Sequence, residues 1–280
     1  MRRDRHQTGR LGPRLAFSKS ITNPSAASGL DNRERSKSMN HHKNTNMNRT
    51  IGVAAALVVL AGNTALAGGH HAGPKVVPIN SKYHGKSYEE WGGSWWKWFM
   101  EQPVVSTSGV THPGIDAPTF DVNEGQHGSV WFLAATFGAD RTCTIPAGKS
   151  LFIATLNAEC SNLEDPPFFG GTSVQRHNCA SDFADLIDPL SLFFTINGDP
   201  VDLADFRAAS PDIKFNAPTP WIYGATGGRG RSSGDGYYIL LEPLPPGHYD
   251  ISFGGVFGGP PALTQTYHLT VSAHGDGDND

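Results

Sequence analysis

The stretch SYEEWGGSWWKWFMEQ, residues 87–102, gathers four of the six tryptophans of this 280-residue chain into one short segment. Its pattern is helical. Ser87 followed three residues later by Glu90 is a capping box, in which each side chain satisfies the other residue's free backbone amide. Pro103 ends the helix, because proline lacks an N–H and its ring disfavours a helical residue before it. At 3.6 residues per turn Tyr88, Trp91, Trp95 and Trp98 or Phe99 share one face, with Trp96 and Met100 to one side. So wide an aromatic surface has to be covered, and Trp91, Trp95 and Trp98 read as core. Trp96, at the margin, is expected to be exposed and to offer a stacking platform to a sugar ring.

What covers that helix reads as strands. The apolar run 129–137 has the length of a central strand buried on both faces. Shorter strands are expected at 141–145, 150–156, 192–196, 200–203 and 237–242, and alternating ones at 248–253, with Tyr249, Ile251 and Phe253 inward, and at 266–271, with Tyr267, Leu269 and Val271 inward. Asn197-Gly198 is a strong hairpin signal. The run from Leu244 to Tyr249 resembles the corner turn of immunoglobulin-like sandwiches. Beyond the tryptophan segment, helical pattern is confined to 181–187 and 203–208, and the glycine-rich run 224–236 reads as a flexible loop or lid. The expected fold is all-β: an antiparallel β-sandwich or jelly roll over residues 87–272, with the short Trp-rich helix packed on it.

The N-terminal third reads differently. Residues 1–46 are polar, strongly basic and without apolar periodicity, as in an upstream disordered extension. Residues 47–67 have the three parts of a secretory signal peptide: Arg49, an apolar core at 51–61, and Ala65-Leu66-Ala67 as a cleavage site. The apolar run is too short to span a bilayer, so no stable membrane insertion is expected. Residues 68–86 then form a flexible mature N-terminus, and 273–280 an acidic tail. Removing the eleven basic and three acidic residues of 1–67 from the totals of 22 and 26 leaves 11 and 23, a net charge near −12 rather than −4. An acidic chain exported to the periplasm or beyond is a poor partner for nucleic acid.

Export makes the three cysteines informative, because an oxidising compartment favours one bridge and leaves one thiol. Cys160–Cys179 is the favoured pair. It closes the 161–178 loop, worth roughly 3 kcal/mol on the chain-entropy model, and Cys143 then sits in its strand as a small apolar residue. The bridge would bring Asn157 and Glu159 beside His177 and Asn178, with Glu164 and Asp165 on the loop between. Carboxylates and an imidazole converging at the mouth of a sandwich can perform acid–base chemistry or hold a metal. The competing reading is a solvated polar loop. No nucleophile elbow, zinc-protease helix, phosphate loop or dinucleotide fingerprint is present in the sequence.

Together the Trp-rich segment, VWFLAATFG (130–138), CTIPAGK (143–149) and LNAECS (156–161) resemble a set of exported bacterial proteins. The resemblance covers most of the chain after the leader. It implies export and a bacterial source, and it carries no activity, substrate or site residue across.

Three functions follow as expectations. The first is a soluble binding protein of the cell envelope, taking a glycan or another exported protein, with Trp96 and Asn157 as ligand contacts. The second is a hydrolase or lyase using Glu159 with His177 or Asp165. The third is copper binding. Cleavage after Ala67 would expose Gly68-Gly69-His70, whose amine, two amides and imidazole can close a square plane around Cu(II). If that site forms, one extra residue placed before Gly68 abolishes tight Cu(II) binding in a calorimetric titration; unchanged binding excludes it.

Overall fold

A computed structural model describes residues 73–115, 121–136, 138, 140–224 and 226–273. The upstream extension, the signal peptide, Gly68, Gly69, His70 and the tail from 274 lie outside the described residues.

The Trp-rich segment forms helix α1 (Tyr88–Glu101), and its capping box is made in full: the Ser87 amide donates to Glu90 Oε2 at 2.8 Å and the Glu90 amide to Ser87 Oγ at 3.4 Å. The far end is closed by a residue that the sequence pattern does not single out. His112 donates through Nε2 to the Phe99 carbonyl at 2.8 Å, and its Nδ1 accepts from the Gly114 amide at 2.9 Å. Burial pushes this imidazole down to about 4, so it is neutral in the folded protein.

Two sheets follow. The first contains β1 (Val130–Leu133), β3 (Ser150–Ser161), β8 (Gly228–Leu241) and β6 (Arg207–Ala209) in that order, with β7 (Ile213–Ala217) also paired to β8. The second runs β2 (Asp140–Pro146), β10 (Leu263–Ser272), β9 (Gly247–Phe257), β4 (Ile187–Ile196) and β5 (Asp199–Pro200). The all-β sandwich expectation holds. Its wholly antiparallel character is corrected at two places, because β1–β3 and β2–β10 are parallel. The chain leaves the first sheet after β1, makes β2 in the second, and returns as β3, and such a crossover permits parallel pairing where a tight hairpin does not.

Alternation along the long central strands divides the core. Leu151, Ile153, Ile239 and Leu241 meet Ile251, Phe253, Tyr267 and Leu269 of the second sheet. Their neighbours Phe152, Ala154, Tyr238 and Leu240 face the other way, onto Tyr88, Trp91, Trp95 and Trp96 of α1. The strands buried on both faces are β3 and the 237–241 end of β8; the run 129–137, expected to be a central strand, instead supplies β1 at the end of the first sheet. The Asn197-Gly198 turn joins β4 to β5 with both residues at positive φ, 54° and 86°, as a type I′ hairpin requires. Tyr249 closes the expected corner by donating to the Pro245 carbonyl at 2.9 Å.

Three local expectations are corrected. Helix α2 (Ser173–Ala184) begins eight residues before the expected 181, because Thr172 and Gln175 form a second capping box. Residues 203–208 are a turn leading into β6 rather than a helix. The glycine-rich run is mostly the start of β8, not a lid. Its glycines are seats for aromatic rings: a Cβ at Gly230 would overlap the Phe215 ring, and one at Gly234 would overlap the indole of Trp96.

That seat also corrects Trp96, which is 4% exposed and presents no face to a sugar ring. The helix approaches the sheet closely because Gly92 and Gly93 lie against Tyr238 and Ile213. One turn on, Trp96 sinks to the backbone of β8 and its Nε1 donates to the Tyr238 hydroxyl at 3.0 Å. Among the described residues no helix is long and apolar enough to cross a membrane. Gly234→Ala should lower stability by about 1–3 kcal/mol, as overpacked core positions do, seen as an earlier urea midpoint with altered tryptophan emission. An unchanged midpoint would mean that the indole can move aside freely.

Candidate functional site

Consecutive strand residues point to opposite faces of a sheet, and at the end of β3 this rule sorts the candidate residues. Cys160 points toward α2 and is bonded to Cys179, the expected pair, with their Cα atoms 5.9 Å apart. Cys143 is a buried free thiol in β2, pushed up to about 12 chiefly by burial. Glu159 and Ser161 therefore point the other way, to the α1 face.

On the α2 side, Ser233 lies opposite Cys160 in the ladder. Its hydroxyl is 3.2 Å from His177 Nδ1 and donates to Asp212 Oδ1 at 3.4 Å. His177 Nδ1 is also 2.9 Å from the Ser173 carbonyl, which can only accept, so that nitrogen carries the proton. It is a donor toward Ser233 and cannot serve there as the base that activates a hydroxyl. Asp212 is held by Arg176 and Arg231, each at 2.7 Å. Burial works against its charge, but the two guanidinium groups outweigh it and keep the carboxyl below its ordinary range.

On the α1 side, Glu159 is 6% exposed. Its Oε2 accepts from Ser232 Oγ at 2.6 Å, while Oε1 meets no hydrogen-bond donor among the described residues. Glu164 stands beside it, and Glu164 Oε2 accepts from Ser161 Oγ at 3.1 Å. Burial raises the Glu159 carboxyl above its ordinary range; the hydrogen bonds with Glu164 and Ser232 pull it back without reversing the shift. The surface of Tyr223 is half-buried, but its hydroxyl end is enclosed, and burial together with the two glutamates pushes the phenol well above its ordinary value. Asn157, two residues before Glu159 on the same face, has an Nδ2 with no acceptor among the described residues. Trp96 lies over Gly234, the ladder partner of Glu159.

The structure thus brings Asn157, Glu159 and Trp96 under one roof and divides the expected catalytic set. His177 is on the opposite face of the sheet, within α2 rather than a loop. Asp165 is exposed, its carbonyl accepting from the Phe168 amide at 3.1 Å. The residues that do surround Glu159, namely Glu164, Ser232 and Tyr223, come from segments that read as loop. Ser232 is concealed inside the glycine-rich run, and its pairing with Ser161 on one side and Ile213 on the other identifies it as a strand residue. Among the described residues no group of three or more His, Cys, Asp or Glu is placed to hold a metal ion.

An open cleft of about 620 Å³ lies elsewhere, where α1 meets the β7–β8 hairpin. Lys97, Lys214, Arg229 and Arg231 line it, with Asn162 and Asn216.

No family model matches the chain, and no curated protein matches it. A solved structure, that of PbICP-C in complex with falcipain-2, matches at 15% identity over 52% of this chain and 100% of that chain, with a TM-score of 0.21. A likeness of that size carries no argument about fold or activity.

The raised Glu159 carboxyl has a definite sign. The folded state holds its proton more tightly than the unfolded chain, so this group's contribution is present below the ordinary carboxylate range and is lost as pH rises through its folded value. Glu159→Gln removes that penalty. The variant should gain urea stability relative to the parent on going from pH 4 to pH 7. A difference that stays constant with pH would show that folding leaves the proton affinity of Glu159 unchanged.

Proposed function

We propose that this chain is an exported binding protein of the bacterial cell envelope, taking its ligand at the cleft lined by the β7–β8 hairpin and by Lys97 of α1. Its ligand class is a glycan or another exported protein. The observation that carries the reading is the contrast between the two polar sites. The cleft is open to solvent and lined by Lys97, Lys214, Arg229, Arg231, Asn162 and Asn216, donors that can hold polar groups of a ligand. Glu159 is buried beside Ser232 and Glu164, and the sheet separates it from His177. Export is supported by the leader pattern at 47–67 and by the Cys160–Cys179 bridge, which suits an oxidising compartment.

Glu159→Gln separates binding from catalysis. Both the parent and the variant, applied to a glycan array and then incubated with any glycan retained, should bind equally and release no product. Product formed by the parent and abolished in the variant would overturn the binding reading in favour of acid-catalysed cleavage.

A further inference from the structure

We infer that the cleft is selective for a short anionic oligosaccharide bearing sulfate or carboxylate groups; this rests on the binding reading above. Residues 68–280 hold 11 Lys and Arg against 23 Asp and Glu. Four of those eleven cations, Lys97, Lys214, Arg229 and Arg231, line this one cleft. Two are already matched, Lys97 by Glu101 and Arg231 by Asp212. Lys214 and Arg229 are exposed and make no ion pair among the described residues. The cleft is therefore locally positive by two charges in an otherwise acidic chain.

The ladder explains why the two free cations share one face. Lys214 is paired with Arg231, and Asn216 with Arg229, across the β7–β8 hairpin. Directly opposed residues stand on the same side of a sheet, so two guanidinium groups, an ammonium and an amide form one row, on the face of the hairpin opposite the one that Phe215 turns to α1. Guanidinium groups match sulfate and carboxylate oxygens in bidentate fashion. A volume near 620 Å³ falls within the usual range for small-ligand sites, enough for a few sugar rings rather than a single inorganic ion.

The Asn216 backbone amide on β7 donates to Glu101 Oε1 at 2.9 Å, which disfavours a peptide added as a strand at this edge; an acidic peptide held by the cations alone is separated from a sugar by the polyglutamate arm of the test below.

Calorimetric titration of the exported protein tests this. The probes are a heparin-derived hexasaccharide, hexagalacturonate, neutral cellohexaose, inorganic phosphate and polyglutamate. One or both acidic hexasaccharides should bind, more weakly as salt rises, and the better of the two identifies sulfate or carboxylate as the recognised group. The Lys214→Gln/Arg229→Gln double variant, folded by circular dichroism, should lose about tenfold or more, the size of losing a charged hydrogen bond. Full binding by that variant, or phosphate or polyglutamate binding as tightly as the hexasaccharides, would overturn the inference. Cellohexaose binding in place of the acidic sugars would overturn it while leaving the glycan-binding reading intact. Silence from every sugar would remove both the inference and the glycan half of that reading.

Discussion

The seat of Trp96 on Gly234 is the contact on which the rest of the structure depends. A helix normally stands off a sheet by the depth of its side chains. Here Gly92 and Gly93 on the helix and Gly234 on the strand remove that depth, and the indole reaches the backbone of β8. Close approach then lets the other indoles act as tethers. Trp91 Nε1 donates to the Tyr83 carbonyl, Trp95 Nε1 to Leu133 and Trp98 Nε1 to Glu124, while Trp221 Nε1 returns a bond to Met100. Each bond contributes only about 1 kcal/mol net, but a buried indole left without its acceptor costs about 1–3. Irregular segments before and after α1 are thus fixed to the sheet by one helix, and they rely on that helix being deep enough to reach them.

Depth on the α1 side also decides what Glu159 can do. The strand that carries it continues past the second sheet, so its two faces have different covers. Cys160 and Ser233 look toward α2 and the covalent bridge; Glu159, Ser161 and Ser232 look toward α1. A disulfide one residue from an acid therefore positions the neighbouring helix and not the acid's own partner. This is why the bridge expected to assemble Glu159 with His177 instead holds them apart. Glu159 finds Glu164 and Ser232 in its place, and its raised proton affinity follows from enclosure among groups that offer little solvation.

Much of this was legible in the sequence where chemistry is local. The Ser87–Glu90 box, the Asn197-Gly198 hairpin, the Tyr249 corner and the inward set Tyr267, Leu269 and Val271 each follow from residues a few positions apart, and each stands where expected. The Cys160–Cys179 pair also stands as expected, with Cys143 left at a strand position where its small side chain is buried. What failed depended on distant partners. Helical periodicity places Trp96 beside the main apolar face and cannot show that a glycine 138 positions later makes room for it. The same glycine made β8 resemble a loop. His112 carried no signal, since its two partners are a helix carbonyl thirteen residues earlier and an amide two residues later.

The cleft follows from how the sheet ends. β7 is the outermost strand on its side of the first sheet, and an open edge invites unwanted pairing. Glu101 blunts it, accepting from the Asn216 amide while also holding Lys97. One carboxylate is therefore spent on the edge, and the cations of the hairpin outnumber the carboxylates near them. Across the whole surface of residues 68–280 the acidic excess would repel an anion, but screening at physiological salt confines that repulsion to about 8 Å. Within the cleft an anion meets Lys214 and Arg229 closer than that, and the local sign, not the net charge of the chain, sets what is held there.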